Sequence, residues 1–476
     1  MAINEKKRIA IVISCNLFVR SYLTNDALDD IKENYDCSLI VSEDVTHRTQ
    51  CDSWQETRFF KSAPEASGLH YKIFNLLLWK NRNIVSSFKF RLMRLFPAKL
   101  NLTFSSDKTL SQKAIRIPWR ILVFCHGFLR KLLYCFLSSK PVFPWYFSFL
   151  TKRLPKNESL EKAVREAAPD LLLFPSSAYD PEGNDLIPIA RSLNIPVCFL
   201  VDNWDNLSSK TILWRKPDFI ATWGDQSCEH AVHIQGFEKK QVFKLGTPRF
   251  DQYFMLRDTD SLPPLFDFSY ILFVGTALAS NEAEALAVLN DIIERHQELF
   301  AGVKVLYRPH PWRQGADSIL GKGLKHVMID PQLQDAYASG RRDTDSVMPD
   351  LAYYPRLLQH TQFVMGGLTS MLIESLIFRK RFLALVHDDN ELVSNQKNAL
   401  HYFVHFKGLE QIDAVHFCHD IQNLEKEILR IWDLRNVLDK SRLDGQRRYF
   451  CYDDARAYKT RLADLCQKML ELSSIN

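Results

Sequence analysis

The chain has 476 residues, of which 46% are hydrophobic and 25% charged, and it contains 16 glycines and 20 prolines. This length is enough for two large α/β domains or for about three domains of ~150 residues, whose cores need no disulfide or metal. The composition excludes a disordered chain, a collagen-like repeat and a repetitive fibre.

The cysteines and the N-terminal residues favour a cytoplasmic protein. The ten cysteines form no C-x-x-C pair and have no regular spacing, as expected of reduced thiols. The N-terminal MAINEKKR leads directly into strand-like residues, without the apolar stretch and cleavage site of a secretory signal. No run of about 18 apolar residues predicts a membrane-spanning helix.

Strand-like runs alternate with helix-like segments in two sets, which is the pattern of parallel βαβ units. The first set comprises residues 8–14, 38–42, 171–174, 197–201 and 219–222, and the second comprises 270–274, 303–307, 326–329, 362–365 and 382–386. Residues 257–268, which contain Asp258, Asp260, Pro263 and Pro264, form a plausible linker. We predict an α/β fold of two Rossmann-like domains facing a cleft, residues 1–260 and 261–476, with terminal helices after residue 422. We also expect the last helix to cross back to the first domain.

The first set is interrupted by a basic, aromatic insert at about residues 70–155. Residues 71–155 hold 16 Lys and Arg but one acid, Asp107, so their net charge is +15 and the rest of the chain carries −10 of the total of +5. Basic and aromatic residues suit a helix on an anionic membrane, at the inner face of the cell membrane. They equally suit a helical insertion packed on the sheet. Nucleic acid is disfavoured, because no recognition helix, RNA-binding motif or zinc finger accompanies the insert.

Polar side chains follow two strands of the first domain. The segment Asp202-Asn-Trp-Asp-Asn-Leu-Ser-Ser-Lys210 combines carboxylates, amides, an indole and a lysine, as a sugar-binding surface would. Asp202 or Asp205 is placed to deprotonate an acceptor hydroxyl. The alternative is an Asx-rich turn that caps the next helix. The predicted acceptor-binding residues are Ser176, Ser177, Asn203, Trp204, Asn206 and Lys210. Lys244–Asp251 is a natural hinge at the mouth of the cleft.

Three segments of the second domain predict a site for the phosphates and ribose of a donor. A strand ending in Gly-Gly passes into a helix whose free N–H groups and hydroxyls suit an anion, and a glutamate follows one turn later. Two prolines hold a histidine rigidly between arginines at another strand end. The alternatives are a helix cap and a structural histidine. The predicted donor-binding residues are Gly275, Thr276, Arg308, His310, Pro311, Arg313, Gly367, Thr369, Ser370 and Glu374, and His310 is also a candidate acid.

Other familiar sites have no counterpart in the sequence. The dinucleotide motif G-x-G-x-x-G, the P-loop and the serine-hydrolase motif G-x-S-x-G do not occur. The closest approach to a metal cluster, His416-Phe-Cys-His419, lacks a partner pair and is assigned to the edge of a helix. We therefore predict no metal site.

The motifs together resemble the GT-B glycosyltransferases of bacterial surface-polysaccharide assembly. The resemblance spans residues 165–390 and the first strand, and rests on 202–210, Pro217–Gly224, 245–251, Arg308–Pro311 and 367–374. Within that superfamily the His-Pro pair and the Ser/Thr-rich helix start are similar to sialyltransferases, Kdo transferases and CDP-glycerol glycerophosphotransferases. The resemblance implies that His310 and the Thr369-Ser370 helix start contact the donor phosphates, that Glu374 contacts ribose or base, and that no metal or other cofactor is needed, the nucleotide sugar being a substrate.

The leading functional hypothesis is transfer of a sugar, favoured as a CMP-sugar, to a polysaccharide or glycolipid acceptor for capsule or lipopolysaccharide. The acidic base motif of the sialyltransferases is not visible, so the assignment of Asp202 or Asp205 rests on position. The alternatives are transfer of a polyol phosphate from CDP-glycerol, a UDP-N-acetylglucosamine 2-epimerase-like enzyme, and a carbohydrate-binding protein on a degenerate transferase scaffold. The basic insert argues against the epimerase.

Overall fold

A computed structural model of the protein describes residues 6–51, 53–95, 125–259, 262–278, 280–310, 323–338, 353–388 and 395–474. The first sheet has seven parallel strands in the order β3-β2-β1-β4-β5-β6-β7. Their bounds are β1 Arg8–Ile13, β2 Asp36–Ser42, β3 Thr57–Phe60, β4 Leu171–Ser176, β5 Val197–Val201, β6 Phe219–Thr222 and β7 Val242–Lys244. The central strands are apolar along most of their length because helices cover both faces of the sheet.

The helices of the first half lie between these strands and in the insert. Those preceding β4 are α1 Asn16–Tyr22, α2 Asp29–Asn34, α3 Pro64–Lys80, α4 Ser86–Leu95, α5 125–137, α6 Phe143–Lys152 and α7 Glu158–Ala167. Those following it are α8 Pro181–Ser192, α9 Asn206–Ser209, α10 Asp225–His233 and α11 Asp251–Leu256. No helix in the described part of the chain is long and apolar enough to cross a membrane.

The second sheet has six parallel strands in the order β10-β9-β8-β11-β12-β13. Its strands are β8 Tyr270–Val274, β9 Lys304–Arg308, β10 Val327–Ile329, β11 Val364–Gly366, β12 Phe382–Leu385 and β13 Val415–Cys418. Its helices are α12 Glu282–Arg295, α13 Pro331–Ala338, α14 Tyr353–His360, α15 Met371–Ile377, α16 Gln396–Tyr402, α17 Leu424–Leu434 and α18 Lys440–Arg448. The two predicted Rossmann-like sheets are therefore present.

The last helix, α19 (Tyr458–Ser474), returns to the first sheet. Its Leu462, Cys466 and Met469 are fully buried in the same cluster as Ile9 and Ile11 of β1. The predicted return of the last helix to the first domain is confirmed: α19 follows the second sheet in the sequence and completes the core around the first sheet.

The insert is helical where it is described, and its two halves differ in burial. Phe74 of α3 and Phe88 and Phe90 of α4 are fully buried. Phe90 stacks on Tyr402 of the second half at 5.5 Å between ring centroids, and Ser86 donates to the backbone carbonyl of Tyr402 at 2.6 Å. The first half of the insert is thus packed between both halves of the protein, whereas α5 and α6 expose apolar side chains.

The turn after β11 depends on a glycine, which gives a testable prediction. Gly366 has φ +150°, and a Cβ at this position would lie 2.1 Å from the carbonyl oxygen of Val274. We expect Gly366→Ala to lower the free energy of unfolding by about 3 kcal/mol, because neither backbone can shift without breaking the sheet. Urea denaturation provides the measurement. Gly445→Ala is the control: Gly445 is in helix α18 with nothing within 4 Å of the added Cβ, so this change should stabilise by about 0.5–1 kcal/mol. Equal stability of Gly366→Ala and the native protein would contradict the prediction.

Candidate functional site

The strand orders determine where a ligand-binding cleft lies. In the first sheet the strands from β1 to β3 follow one another in one direction and those from β4 to β7 in the opposite direction, so the direction reverses between β1 and β4. In the second sheet it reverses between β8 and β11. Open parallel sheets bind ligands beyond the carboxyl ends of their strands at such a reversal. The segments that follow β4, β5, β8, β9 and β11 contain the residues predicted from the sequence.

Asp202 directly follows β5 and is the best-placed candidate for a base. Its side chain is half-buried, and its backbone N–H donates to the carbonyl of Ser176 at 2.9 Å, which continues the ladder with β4. Burial raises the pKa of Asp202 to about 6, although Arg249 and Arg20 nearby act to lower it. A carboxylate with such a pKa is ionised at neutral pH and still basic enough to accept a proton from a bound hydroxyl.

Arg249 links the two halves of the protein across the cleft. It lies in a turn, Pro248–Phe250, shortly after β7. Its Nη2 donates to the carboxylate of Glu374 and, at 3.4 Å, to the hydroxyl of Ser370. The hydroxyl of Tyr253 donates to the other oxygen of Glu374 at 3.3 Å. Glu374 is 1% exposed, so the guanidinium compensates a buried charge.

Asp202, Arg249, Ser370 and Glu374 therefore form one cluster, in which Arg249 is the common neighbour. Arg249 contacts Ser370 and Glu374 directly, and its charge influences the pKa of Asp202. The predicted contact of Glu374 with a ribose or base would have to share its carboxylate with Arg249 and Tyr253, and it stays a prediction. Thr369, just before Ser370, is half-buried at the same helix start.

Asp205 has a different environment from Asp202. Its carboxylate accepts from the hydroxyl of Ser209 at 2.7 Å and lies 3.7 Å from Nζ of Lys210. Burial acts to raise the pKa of Asp205, but Lys210 and the nearby His405 more than offset it, so the pKa lies below its usual value. The side-chain amide of Asn206 is buried within 3.2 Å of the same carboxylate. Asp205 and its neighbours thus order the short helix α9, and the base assignment favours Asp202.

Trp204 is buried between the two halves of the protein. It is 4% exposed and makes edge-to-face contacts with Phe406 and Phe450 at 5.7 and 5.9 Å between centroids. The half-buried Asn203 accepts through its Oδ1 from the backbone N–H of Trp204 at 2.9 Å. The indole therefore packs in the interface between the two sheets, and stacking of a sugar on it would require these contacts to open.

Ser176 and Ser177 both donate to one carboxylate. Their hydroxyls lie 2.8 and 2.7 Å from Asp180, whose pKa is raised by burial. Asp180 is at the N-terminus of α8, and Glu182 lies in the first turn of that helix. Burial raises the pKa of Glu182 to about 7, with a further contribution from the nearby Asp180. Neither Asp180 nor Glu182 was identified from the sequence.

The side chain of Arg308 is buried in the second domain and hydrogen-bonded there. It is 6% exposed and donates to Asp330 through Nη1, to Gln332 through Nη2 at 3.0 Å and to the hydroxyl of Tyr354 through Nε at 3.2 Å. All three nitrogens are engaged, so the side chain fixes the end of β9. Its predicted contact with a phosphate would require one of these bonds to be exchanged.

The remaining predicted donor residues lie where the ends of β8, β9 and β11 converge. A Cβ on Gly275 would lie 2.5 Å from the backbone nitrogen of His310, and one on Gly367 would lie 2.5 Å from Thr276. The hydroxyl of Thr276 donates to the carbonyl of Leu368 at 3.1 Å. His310 is half-buried at this point. Pro311 and Arg313 lie outside the described residues.

Besides Asp180 and Glu182, two further functional candidates, Arg249 and Arg20, were not identified from the sequence. Arg249 stands in the Lys244–Asp251 segment, which is predicted to be a hinge and carries part of the GT-B resemblance, but no role is predicted there for the arginine. Its contact with Glu374 joins residues 125 positions apart. Arg20 lies on α1, where burial and the nearby Arg249 lower its pKa. Among the described residues, no group of three or more His, Cys, Asp or Glu side chains could hold a metal ion.

Comparison with known proteins establishes the fold. Neither a protein-family model nor a curated protein matches the sequence. Among solved structures, the chain is similar to UDP-GlcNAc 2-epimerase from Methanocaldococcus jannaschii, with 9% identity and a TM-score of 0.50 over 97% of this chain and 99% of that chain. It is likewise similar to UDP-GlcNAc 2-epimerase from Neisseria meningitidis bound to UDP-GlcNAc, with 10% identity and a TM-score of 0.50 over 97% and 100% of the two chains. The predicted fold, two Rossmann-like domains of the GT-B type, is confirmed.

Proposed function

We propose that the protein is an enzyme that acts on a nucleotide-activated sugar, with Asp202 as its base. The observation that carries the proposal is the position of Asp202 at the carboxyl edge of the first sheet, with a pKa of about 6, beside the Arg249 cluster that joins both domains. The GT-B fold and the binding of UDP-GlcNAc by the similar Neisseria protein support a nucleotide sugar as the ligand.

Within this class we propose a glycosyltransferase. In the proposed reaction an acceptor hydroxyl attacks the anomeric carbon, Asp202 takes the hydroxyl proton, and the bond to the nucleotide phosphate breaks. Arg249 and the hydroxyl of Ser370 are adjacent, so together they can stabilise the charge that develops on the leaving phosphate. A CMP-sugar remains the favoured donor and a surface polysaccharide or glycolipid the favoured acceptor.

An epimerase is the second candidate, and the structure gives it specific support. Epimerisation needs groups that remove and return a proton on one bound sugar, with no acceptor. The first domain holds several carboxyls of raised pKa, among them Asp202 at about 6 and Glu182 at about 7, and Asp180, whose pKa is also raised, lies near both. Two such groups on one side of the cleft would serve this chemistry, and the two similar structures reported above are epimerases. Transfer of a polyol phosphate from CDP-glycerol would use the same phosphate contacts.

Nucleotide binding and product analysis test the proposal in turn. The melting temperature is first measured with CMP, CDP, UDP and GDP, because a ligand at about 100 times its Kd stabilises the native state by about 2.7 kcal/mol. The nucleotide sugar of the base that binds is then incubated with the protein, with and without a saccharide or glycolipid acceptor. Nucleotide release that depends on acceptor identifies a transferase, and an isomeric nucleotide sugar formed without acceptor identifies an epimerase. No shift with any nucleotide would contradict the proposal.

A further inference from the structure

Helix α5 has an apolar face that is exposed to solvent. The side chains that face the protein are spaced at helical intervals and include Lys131, Tyr134 and Ser138, which are half-buried or buried. Tyr134 stacks on Trp79 of α3 with 6.3 Å between centroids. The opposite face carries five large apolar side chains that are 50 to 63% exposed, namely Phe128, Leu129, Leu132, Leu133 and Phe136.

Helix α6 continues this exposed surface. Trp145 is 68% exposed and stacks on Phe149 one turn later, at 5.9 Å between centroids. The inner faces of the two helices meet in one small cluster on α3, which contains Tyr134 and Leu137 of α5 and Leu150 of α6. Because α5 and α6 both pack on α3 in this cluster, we treat their exposed residues as one surface, which we call the α5–α6 surface. Exposed apolar areas of this kind mark sites of interaction with proteins or membranes.

The charge around the α5–α6 surface selects the partner. Residues 125–153 contain five Lys and Arg and no Asp or Glu. Lys140, Lys152 and Arg153 are exposed, and the guanidinium of Arg153 lies 4.3 Å from the ring centroid of Phe149. Large apolar and aromatic side chains bordered by cations, with no anion among them, match the acyl boundary and the phosphates of an anionic bilayer.

We propose that the α5–α6 surface docks on an anionic lipid bilayer. Phe128, Leu132, Leu133 and Phe136 enter the boundary between headgroups and acyl chains, Trp145 lies at the headgroups, and the flanking cations contact lipid phosphates. The helices lie in the plane of the interface, with α3 on the side away from the lipid. This inference is independent of the proposed function, because it uses no residue of the cleft.

Vesicle sedimentation of the full chain tests the inference. We expect the protein to sediment with vesicles of equal parts phosphatidylcholine and phosphatidylglycerol, to remain in solution with pure phosphatidylcholine, and to be released as salt rises, because the Debye length falls from about 10 Å at 0.1 M to about 3 Å at 1 M. The double variant Leu132→Ser and Leu133→Ser should bind at least about tenfold more weakly, since two exposed leucines no longer enter the lipid. Because the side chains of Leu132 and Leu133 are 50 and 53% exposed, the fold should be unchanged.

One control variant and one charge variant accompany the leucine variant. Val437→Ser removes a comparably exposed apolar side chain, 64% exposed, from the segment between α17 and α18, and should leave vesicle binding unchanged. Lys140→Glu should weaken binding to the anionic vesicles through its charge alone. The inference is overturned if the native chain does not sediment with anionic vesicles, if Val437→Ser weakens binding as much as the leucine variant, or if the leucine variant only dissociates a dimer that binds no vesicles.

Discussion

Replacing Asp202 with asparagine is expected to lower turnover by about 10² to 10⁴ with little change in nucleotide affinity, the loss that follows removal of a general base. The substitution keeps the shape of the side chain, and nucleotide affinity depends on the other side of the cleft. Steady-state kinetics give turnover, and a thermal-shift titration gives nucleotide affinity. Asp205→Asn is the matched control, because Asp205 holds Ser209 and Lys210 rather than facing Arg249. Near-normal turnover of Asp202→Asn would place the base elsewhere.

The pKa of Asp202 adds two effects of pH to this prediction. Turnover of the native protein should fall as pH decreases through about 6, because the protonated carboxyl cannot act as a base. The pKa of an aspartate is ordinarily 3.8, so the folded protein binds this proton more tightly than the unfolded chain does. Ionisation of Asp202 therefore lowers the free energy of unfolding as pH rises from about 4 to about 6. Asp202→Asn lacks this loss and should be more stable than the native protein above pH 6, as measured by urea denaturation at several pH values.

Replacing Arg249 with leucine is expected to lower the free energy of unfolding by about 3 kcal/mol, since it leaves the buried carboxylate of Glu374 without its cation. The change should also move the acid limb of the turnover profile to higher pH, because Arg249 holds the pKa of Asp202 down. Denaturation measures the first effect and a pH series measures the second.

A second substitution separates loss of charge pairing from general loss of packing. Glu374→Gln in the Arg249→Leu background removes the unpaired charge and should restore most of the lost stability. Arg249→Lys keeps a cation near Asp202 and should leave the acid limb close to its native position. If the double variant is no more stable than Arg249→Leu, the ion pair does not account for the loss. An unchanged acid limb in Arg249→Leu would show that Arg249 does not influence Asp202.

The central strands were predictable because burial on both faces requires continuous apolar runs. Residues 197–201, 219–222 and 270–274 were predicted with the bounds that the structure gives. The short strands β3, β7 and β13 were missed because polar residues interrupt them, as in Thr57-Arg-Phe-Phe60 and Val242-Phe-Lys244. The assignment of His416–His419 to a helix edge was wrong: residues 415–418 form β13, where His416 and Phe417 pair with β12.

The candidate site was predictable only in outline. Polar residues after buried strands indicated the correct edge of each sheet, because parallel strands all end on the same side. Their individual roles depended on partners far along the chain. Trp204 packs against Phe406 and Phe450, and Arg308 donates to Asp330. Both side chains are therefore engaged by residues that their own sequence neighbourhood does not reveal. Arg249 was overlooked for the same reason.

The return of α19 to the first sheet has a consequence for the order in which the protein is assembled. Leu462, Cys466 and Met469 fill the core beside β1, so the first domain lacks part of its interior until residues 458–469 have been synthesised. Domains usually fold as units in the order in which they leave the ribosome. Here the second domain, whose strands end at Cys418, can close first, and the first domain must wait with an open apolar face. We therefore expect nascent chains that stop before Tyr458 to be captured by chaperones or degraded, although every residue of the candidate site is already present.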